Sequence, residues 1–315
     1  PTLPCGAFAP NSLASSATPS LDTLSRQHPL PADPHLAFAE EGHQYTAWGQ
    51  RVQRSTTKLI AECFGAFDGA GCVETYYEAW KANPKSEYHA RIHAALDAGA
   101  SEEEAKASIL AMWEQWRDLG TALHAHCELD LNGVAPALDP ALAPEVAQFE
   151  QFKASAFVAE RGLRPYRTEL CVAYRAADGV VVCAGRVDAL FVDAEGAFYL
   201  LDFKRSKRKL GGAQRGFRGA MGTGVASHLA ETDFHKYSLQ LACYALMLEQ
   251  SHGIAVDERC YLLRMHPSLS TYELVQGRDL RKEALALLGS EHQRLLEELK
   301  KKSNEKSGHN FFSDS

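Results

Sequence analysis

No two of the eight cysteines in this chain are spaced Cys-x-x-Cys. Cys5, Cys63, Cys72, Cys127, Cys171, Cys183, Cys243 and Cys260 stand singly, several inside apolar runs. That argues against a disulfide framework or a zinc site and for reduced thiols in an intracellular, reducing compartment. No apolar run approaches the length of a membrane span, so no membrane partner is expected. An excess of positive charge is missing as well: 33 Lys and Arg stand against 40 Asp and Glu, a formal net charge of −7. A nucleic-acid partner would have to be met by a local basic patch. Internal repeats are absent, and arginine is too scarce near the start to argue for an organelle-targeting segment, although a mitochondrial or plastid address stays open.

What is present is ordinary globular composition, 45% hydrophobic and 23% charged over 315 residues, enough for one large domain. Residues 1–35, rich in Pro, Ser and Ala, are expected to form a flexible leader. Gly42 to Val52 suggests a short hairpin turning near Gly49, and Ser55 is placed to cap a helix over the apolar stretch that follows. Val73 to Ala98 is helical in pattern with a break at Asn83-Pro84. Ser101-Glu-Glu-Glu104 is a capping box that opens a long helix closed by Asn132-Gly133. A further helix is expected over Pro144 to Arg161, then a strand over Tyr166 to Tyr174. Asp233 to Gln250 is an amphipathic helix, Arg259 to Arg264 and Thr271 to Val275 are strands, and Asp279 to Lys302 is a helix. The expected organisation is a single domain over 36–302, with an N-terminal helical part (36–135) and a core (140–302), followed by a disordered tail (303–315).

Chemistry concentrates between Ala184 and Lys204, which has the pattern of a hairpin turning at Asp193-Ala-Glu-Gly196. Alternation puts Asp202 and Lys204 on one face of the second strand and Leu201 and Phe203 on the other. Asp188 lies on the partner strand, and Glu169 on the strand before it. Two aspartates and a lysine at one strand pair suit a hard cation such as Mg²⁺ with an ammonium beside it. A surface ion pair between Asp202 and Lys204 is the plainer alternative. On the long helix, Gly120, His124 and Glu128 share a face. They can orient a metal or form an ordinary helix-face pair, and Gly120 implies a close approach there. Gln240 and Tyr244 are one turn apart on the later helix. Residues 205–231 form a basic, Gly-rich stretch with Arg205, Lys207, Arg208, Lys209, Arg215 and Arg218, which is either a solvated charge run or a phosphate-backbone clamp.

Taken in order, Gly120-xxx-His124-xxx-Glu128, Gly185-Arg-Val-Asp188, Asp202-Phe-Lys204 and Gln240-xxx-Tyr244 resemble the RecB-like branch of the PD-(D/E)XK nuclease superfamily, over roughly residues 115–265. Glu169 matches an acid often found on the first strand of that core. Ser55-Thr56-Thr57 looks like an element near the start of the mitochondrial genome maintenance exonuclease and its phage relatives. The resemblance implies an α/β fold with a restriction-endonuclease-like core, a mixed central sheet flanked by helices, and an N-terminal helical region. It implies a metal-dependent DNA exonuclease using Mg²⁺, with Mn²⁺ as a substitute, on single-stranded ends or flaps. It also brings in a helicase or replication protein as a partner. His124, Asp188, Asp202 and the carbonyl of Phe203 would hold the metal, and Lys204 would act on water and phosphate. Gln240 and Tyr244 would orient the lysine or contact the strand, with Glu169 in a supporting place. Ser55, Thr56 and Arg205, with the basic residues after it, would contact nucleic acid. Relatives with an iron–sulfur cluster carry a C-terminal cysteine trio. No trio follows Tyr244, so no cluster is expected. A structure-selective endonuclease or an inactive nucleic-acid-binding module on the same fold are the alternatives.

Overall fold

The structure, a computed structural model, describes residues 20–65, 67–212 and 214–309. It begins with a short helix α1 (Thr23–Gln27) and a 3₁₀ turn at Asp33–His35, and both are folded onto the core. Leu24 and Leu30 are buried, and Arg167 makes a two-pronged ion pair with Asp33 at 2.8 and 3.1 Å. The leader expectation therefore fails for residues 20–35, and residues 1–19 lie outside the described part. A small antiparallel sheet follows: β1 (Leu36–Ala39), β2 (Gln44–Ala47) and β3 (Gln50–Arg51), with the expected turn at Trp48-Gly49.

Helix α2 (Thr56–Phe64) starts from Ser55, whose hydroxyl accepts the Lys58 N–H. Helices α3 (Gly69–Ala82) and α4 (His89–Asp97) flank the Asn83-Pro84 break. Helix α5 (Glu102–Leu131) opens on the Ser101–Glu104 capping box, both hydrogen bonds of which are formed. At 30 residues it spans about 45 Å at 1.5 Å per residue. Its first half packs in a small core with Val73, Tyr77 and Ile92. Its second half buries Leu123, Cys127 and Leu131 in the main body. The helix expected over Pro144–Arg161 is two helices, α6 (Ala143–Lys153) and α7 (Ala156–Arg161), because Ser155 accepts the Val158 N–H and caps a new start.

The main sheet contains β4 (Arg164–Arg175), β5 (Val181–Val192), β6 (Phe198–Arg205), β7 (Cys260–Met265) and β8 (Glu273–Gln276), in that spatial order. All neighbours are antiparallel except β6 and β7. That parallel pair needs a crossover, which α8 (Asp233–His252) supplies. Thr232 caps α8, and Gly253, at φ +68°, ends it in the left-handed region where glycine carries no Cβ penalty. Leu200 and Leu262 pack under α8 with Leu239 and Met247. Leu201, Phe203 and Leu263 face Phe149 and Phe152 of α6 on the other side. The last helix, α9 (Arg281–His309), runs past Lys302, so the expected tail is helical to His309. Among the described residues no helix is long and apolar enough to cross a membrane.

The 205–231 segment is partly packed. Leu210, Ala226 and Leu229 are buried in the main core, and Thr223 donates its N–H to Cys63 O of α2 at 2.7 Å. Of the basic residues expected to form the clamp, Lys207, Arg208, Lys209 and Arg215 are exposed.

Candidate active site

The ladder between β5 and β6 runs from Val192–Phe198 only to Ala189–Leu201. Beyond it the strands part, and β6 runs on to Arg205 paired with β7 alone. The freed Phe203 N–H needs an acceptor, and the Asp188 carboxylate supplies one at 2.7 Å. The same oxygen, Oδ2, lies 3.3 Å from His124 Nδ1 of α5. Glu169 stands across from Asp188, between the paired positions Thr168–Ala189 and Leu170–Val187, with φ +44°. This left-handed backbone in mid-strand is strained for a non-glycine residue and turns its side chain toward the site. On β6, Lys204 Nζ reaches Asp202 Oδ2 at 2.5 Å and sits 4.6 Å from the ring centroid of Tyr237 on α8.

Burial sets the electrostatics. It pushes Glu169 up to about 8, and the Asp188 carboxylate adds to this against the nearby Arg186 guanidinium. Asp202 is driven up to about 6 by burial, opposed by Lys204 and reinforced by Asp188. Burial alone would lower His124, but Asp188 outweighs it and raises the imidazole to about 9. Asp188 is held below its ordinary value, because His124, Lys204 and the Phe203 N–H overcome its burial. Lys204 is raised by Asp202 and Asp188 despite burial.

A divalent cation suits this cluster. Donor atoms of His124, Glu169 and Asp188 lie within 4.8 Å of one another. An imidazole nitrogen with carboxylate oxygens is a donor set for Mg²⁺ or Mn²⁺. Asp202 Oδ2, buried beside Lys204, has no well-directed hydrogen bond and keeps lone pairs to offer.

A family model of the PD-(D/E)XK nuclease superfamily matches residues 86–309, more than half of the chain. The chain belongs to that superfamily. Among solved structures it is similar to an Eubacterium rectale protein provisionally named an exonuclease, at 11% identity and TM-score 0.34, over 76% of this chain and 79% of that one. It is also similar to a protein described as SSO0001, at 13% identity and TM-score 0.27, over 49% of this chain and 60% of that one. Comparison with curated proteins found no match.

Within this nuclease fold the structure gathers His124, Glu169, Asp188, Asp202, Phe203 and Lys204. Glu169, given a supporting place from sequence, shares the three-donor group with His124 and Asp188, while Asp202 turns to the lysine. Gln240 Nε2 donates to Tyr244 OH at 2.9 Å, and the Tyr244 ring lies against Gly185. A Cβ at Gly185 would stand 2.5 Å from that ring, which explains the glycine.

Other expectations fail on burial. Ser55 and Thr56 are buried, the first as a helix cap and the second donating to Ala184 O at 3.2 Å, so neither is open to a nucleic-acid strand. Arg205 is not presented to a phosphate but bonds Glu145 of α6 at 2.7 Å in the interior. A Cβ at Gly120 would meet nothing within 4 Å, so the expected close approach is not made by the chain itself. Lys207 pairs with Glu87 at 2.7 Å, and Arg208, Lys209 and Arg215 are exposed. The Arg218 side chain lies outside the described part. Sequence reasoning missed Tyr237 and Arg186. Tyr237 shares the Gln240–Tyr244 helix face (i, i+3, i+7), and Arg186 is two residues before Asp188 on one strand, so both periodicities held the signal.

Proposed function

We propose that this nuclease-superfamily chain is a metal-dependent DNA exonuclease acting on single-stranded ends or flaps in replication, repair or recombination. The supporting observation is the meeting of His124, Glu169, Asp188, Asp202 and Lys204 where β5 and β6 part. His124, Glu169 and Asp188 would hold the cation, with Asp202 and the Phe203 carbonyl at hand. A bound Mg²⁺ or Mn²⁺ supplies a water of lowered pKa and takes up charge developing on the phosphate. The chain's own part is positional. Asp202 and the Tyr237 ring fix the Lys204 ammonium, which donates to a phosphate oxygen and holds the attacking water in line. The Gln240–Tyr244 pair stiffens the wall of α8 behind Gly185.

The test is end-labelled linear single-stranded DNA beside a circular single strand, each in Mg²⁺, Mn²⁺ and EDTA. The expected result is a ladder from the linear strand in both metals, none in EDTA, and an intact circle. A cut circle would transfer the assignment to an endonuclease. Binding without cleavage in either metal would transfer it to an inactive binding module.

The exposed basic stretch would add phosphate contacts outside the site. Replacing Lys207, Arg208 and Lys209 together with alanine is expected to weaken strand binding. The slope of log affinity against log salt should flatten by about one to two units. A salt titration that gives the wild-type slope removes this role.

A further inference from the structure

Arg186 faces the site without a place in the proposed chemistry. It lies two residues before Asp188 on β5, and is paired across the ladder with Cys171 of β4. Its Nε is 2.6 Å from Glu169 Oε2 and its Nη1 is 3.0 Å from Glu40 Oε1. Its guanidinium carbon lies 4.3 Å from the ring centroid of Phe38. Phe38 and Glu40 belong to β1 and its turn, so this end of the small N-terminal sheet cradles the arginine.

The arrangement contains a conflict. Glu169 is one of the three donors grouped for a cation, and it is also the nearer carboxylate to Arg186. A dication and a guanidinium draw on the same carboxylate charge, so a bound dication weakens the hold of Glu169 on Arg186. Arginine cannot answer by losing its proton. Freed from Glu169, it stays on the Phe38 ring, a permanent charge beside the cleft, and a planar fork of N–H donors matches phosphate oxygens. The register points the same way. Continued past its last paired position, Ala189–Leu201, it sets Asp188 against Asp202 and Arg186 against Lys204. The two cations stand on opposite lips of the opening between β5 and β6.

We infer that Arg186 is a second phosphate-binding residue of this site, held on Glu169 when no dication is bound and handed to a phosphate of the substrate strand when a dication takes Glu169. This rests on the nuclease reading above. It makes the arginine part of substrate capture and makes its contribution conditional on the metal.

The experiment is fluorescence anisotropy of a labelled oligothymidine strand over a salt series, in Ca²⁺ and separately in EDTA, for wild type, Arg186→Gln and Arg186→Lys. In Ca²⁺ the glutamine variant should lose about 0.7 from the log–log salt slope, the loss of one single-strand phosphate contact. The lysine variant should keep the slope. In EDTA all three should agree. Equal slopes for wild type and Arg186→Gln in Ca²⁺ would overturn the inference. So would the same loss in Arg161→Gln, a charge removed from the end of α7, because net charge would then be the cause. Should Arg186→Gln fail to fold by circular dichroism, Glu40→Gln at an exposed position decides. With Glu169 taken by the dication, loosening the cradle should tighten binding several-fold in Ca²⁺ and leave it unchanged in EDTA, and an equal effect in the two would sink the idea. A wild type that binds and cleaves while the slopes coincide overturns this inference alone. A wild type that does neither removes the nuclease reading with it.

Discussion

Lys204→Ala is expected to abolish the proposed strand cleavage, with kcat falling about a hundred- to a thousandfold or more while affinity for the strand changes only a few-fold. Lys204 is nearly buried, with its ammonium fixed by Asp202 at 2.5 Å and by the Tyr237 ring at 4.6 Å. A charge held in place before the substrate arrives costs little to reorganise as charge develops on the phosphate. Binding is spread over many backbone contacts, so removing one ammonium is expected to lower kcat and leave KM near its wild-type value. Lys204→Arg should be almost as slow, because the wider guanidinium does not fit the pocket between Asp202 and Tyr237. Single-turnover digestion of end-labelled single strands in Mg²⁺ separates the two parameters. A variant that loses affinity and keeps its single-turnover rate would mean that Lys204 only holds the strand.

The second large effect is on stability, at Arg205. Glu145 is fully buried, and its Oε1 accepts from Arg205 Nε at 2.7 Å while its Oε2 has no hydrogen-bond partner. Among the described residues one arginine therefore supplies the side-chain hydrogen bond to a carboxylate in the interior. Arg205→Ala is expected to cost about 3–5 kcal/mol, the penalty for stranding one member of a buried ion pair. Urea unfolding measures it. Changing both partners to apolar residues of similar volume should recover most of the loss. If Arg205 served a phosphate, as its place directly after Lys204 suggests in sequence, the alanine variant would keep its stability and lose DNA affinity. That outcome would overturn the buried-pair account.

Arg205 also marks where sequence stops being informative. The site could be assembled from the chain because its members sit on elements with strong periodic patterns. Strand alternation separates Asp202 and Lys204 from Phe203, and the helical period aligns His124 with Glu128 and Gln240 with Tyr244. The capping box at Ser101 and the glycine after α8 were legible for the same local reason. What escaped was set by partners distant in sequence. Whether an arginine in a basic run faces water or the interior depended on Glu145, sixty residues earlier. Ser55 and Thr56 lie under Ala184, more than a hundred residues later. Residues 20–35 have no periodic pattern, only a few isolated apolar side chains buried against elements distant in sequence.

That last attachment imposes an order on how the molecule is made. The Leu24 N–H bonds Asn132 Oδ1, 108 residues on, and Asp33 bonds Arg167, 134 residues on. During synthesis the opening segment emerges long before the strand it will rest on. At about 5–20 residues per second the wait is roughly five to thirty seconds. Through that interval the Leu24 N–H and the Asp33 carboxylate lack their native partners. This segment can therefore dock only once the end of α5 and the start of β4 have been made, and a nascent chain halted before β4 holds Asp33 without its arginine.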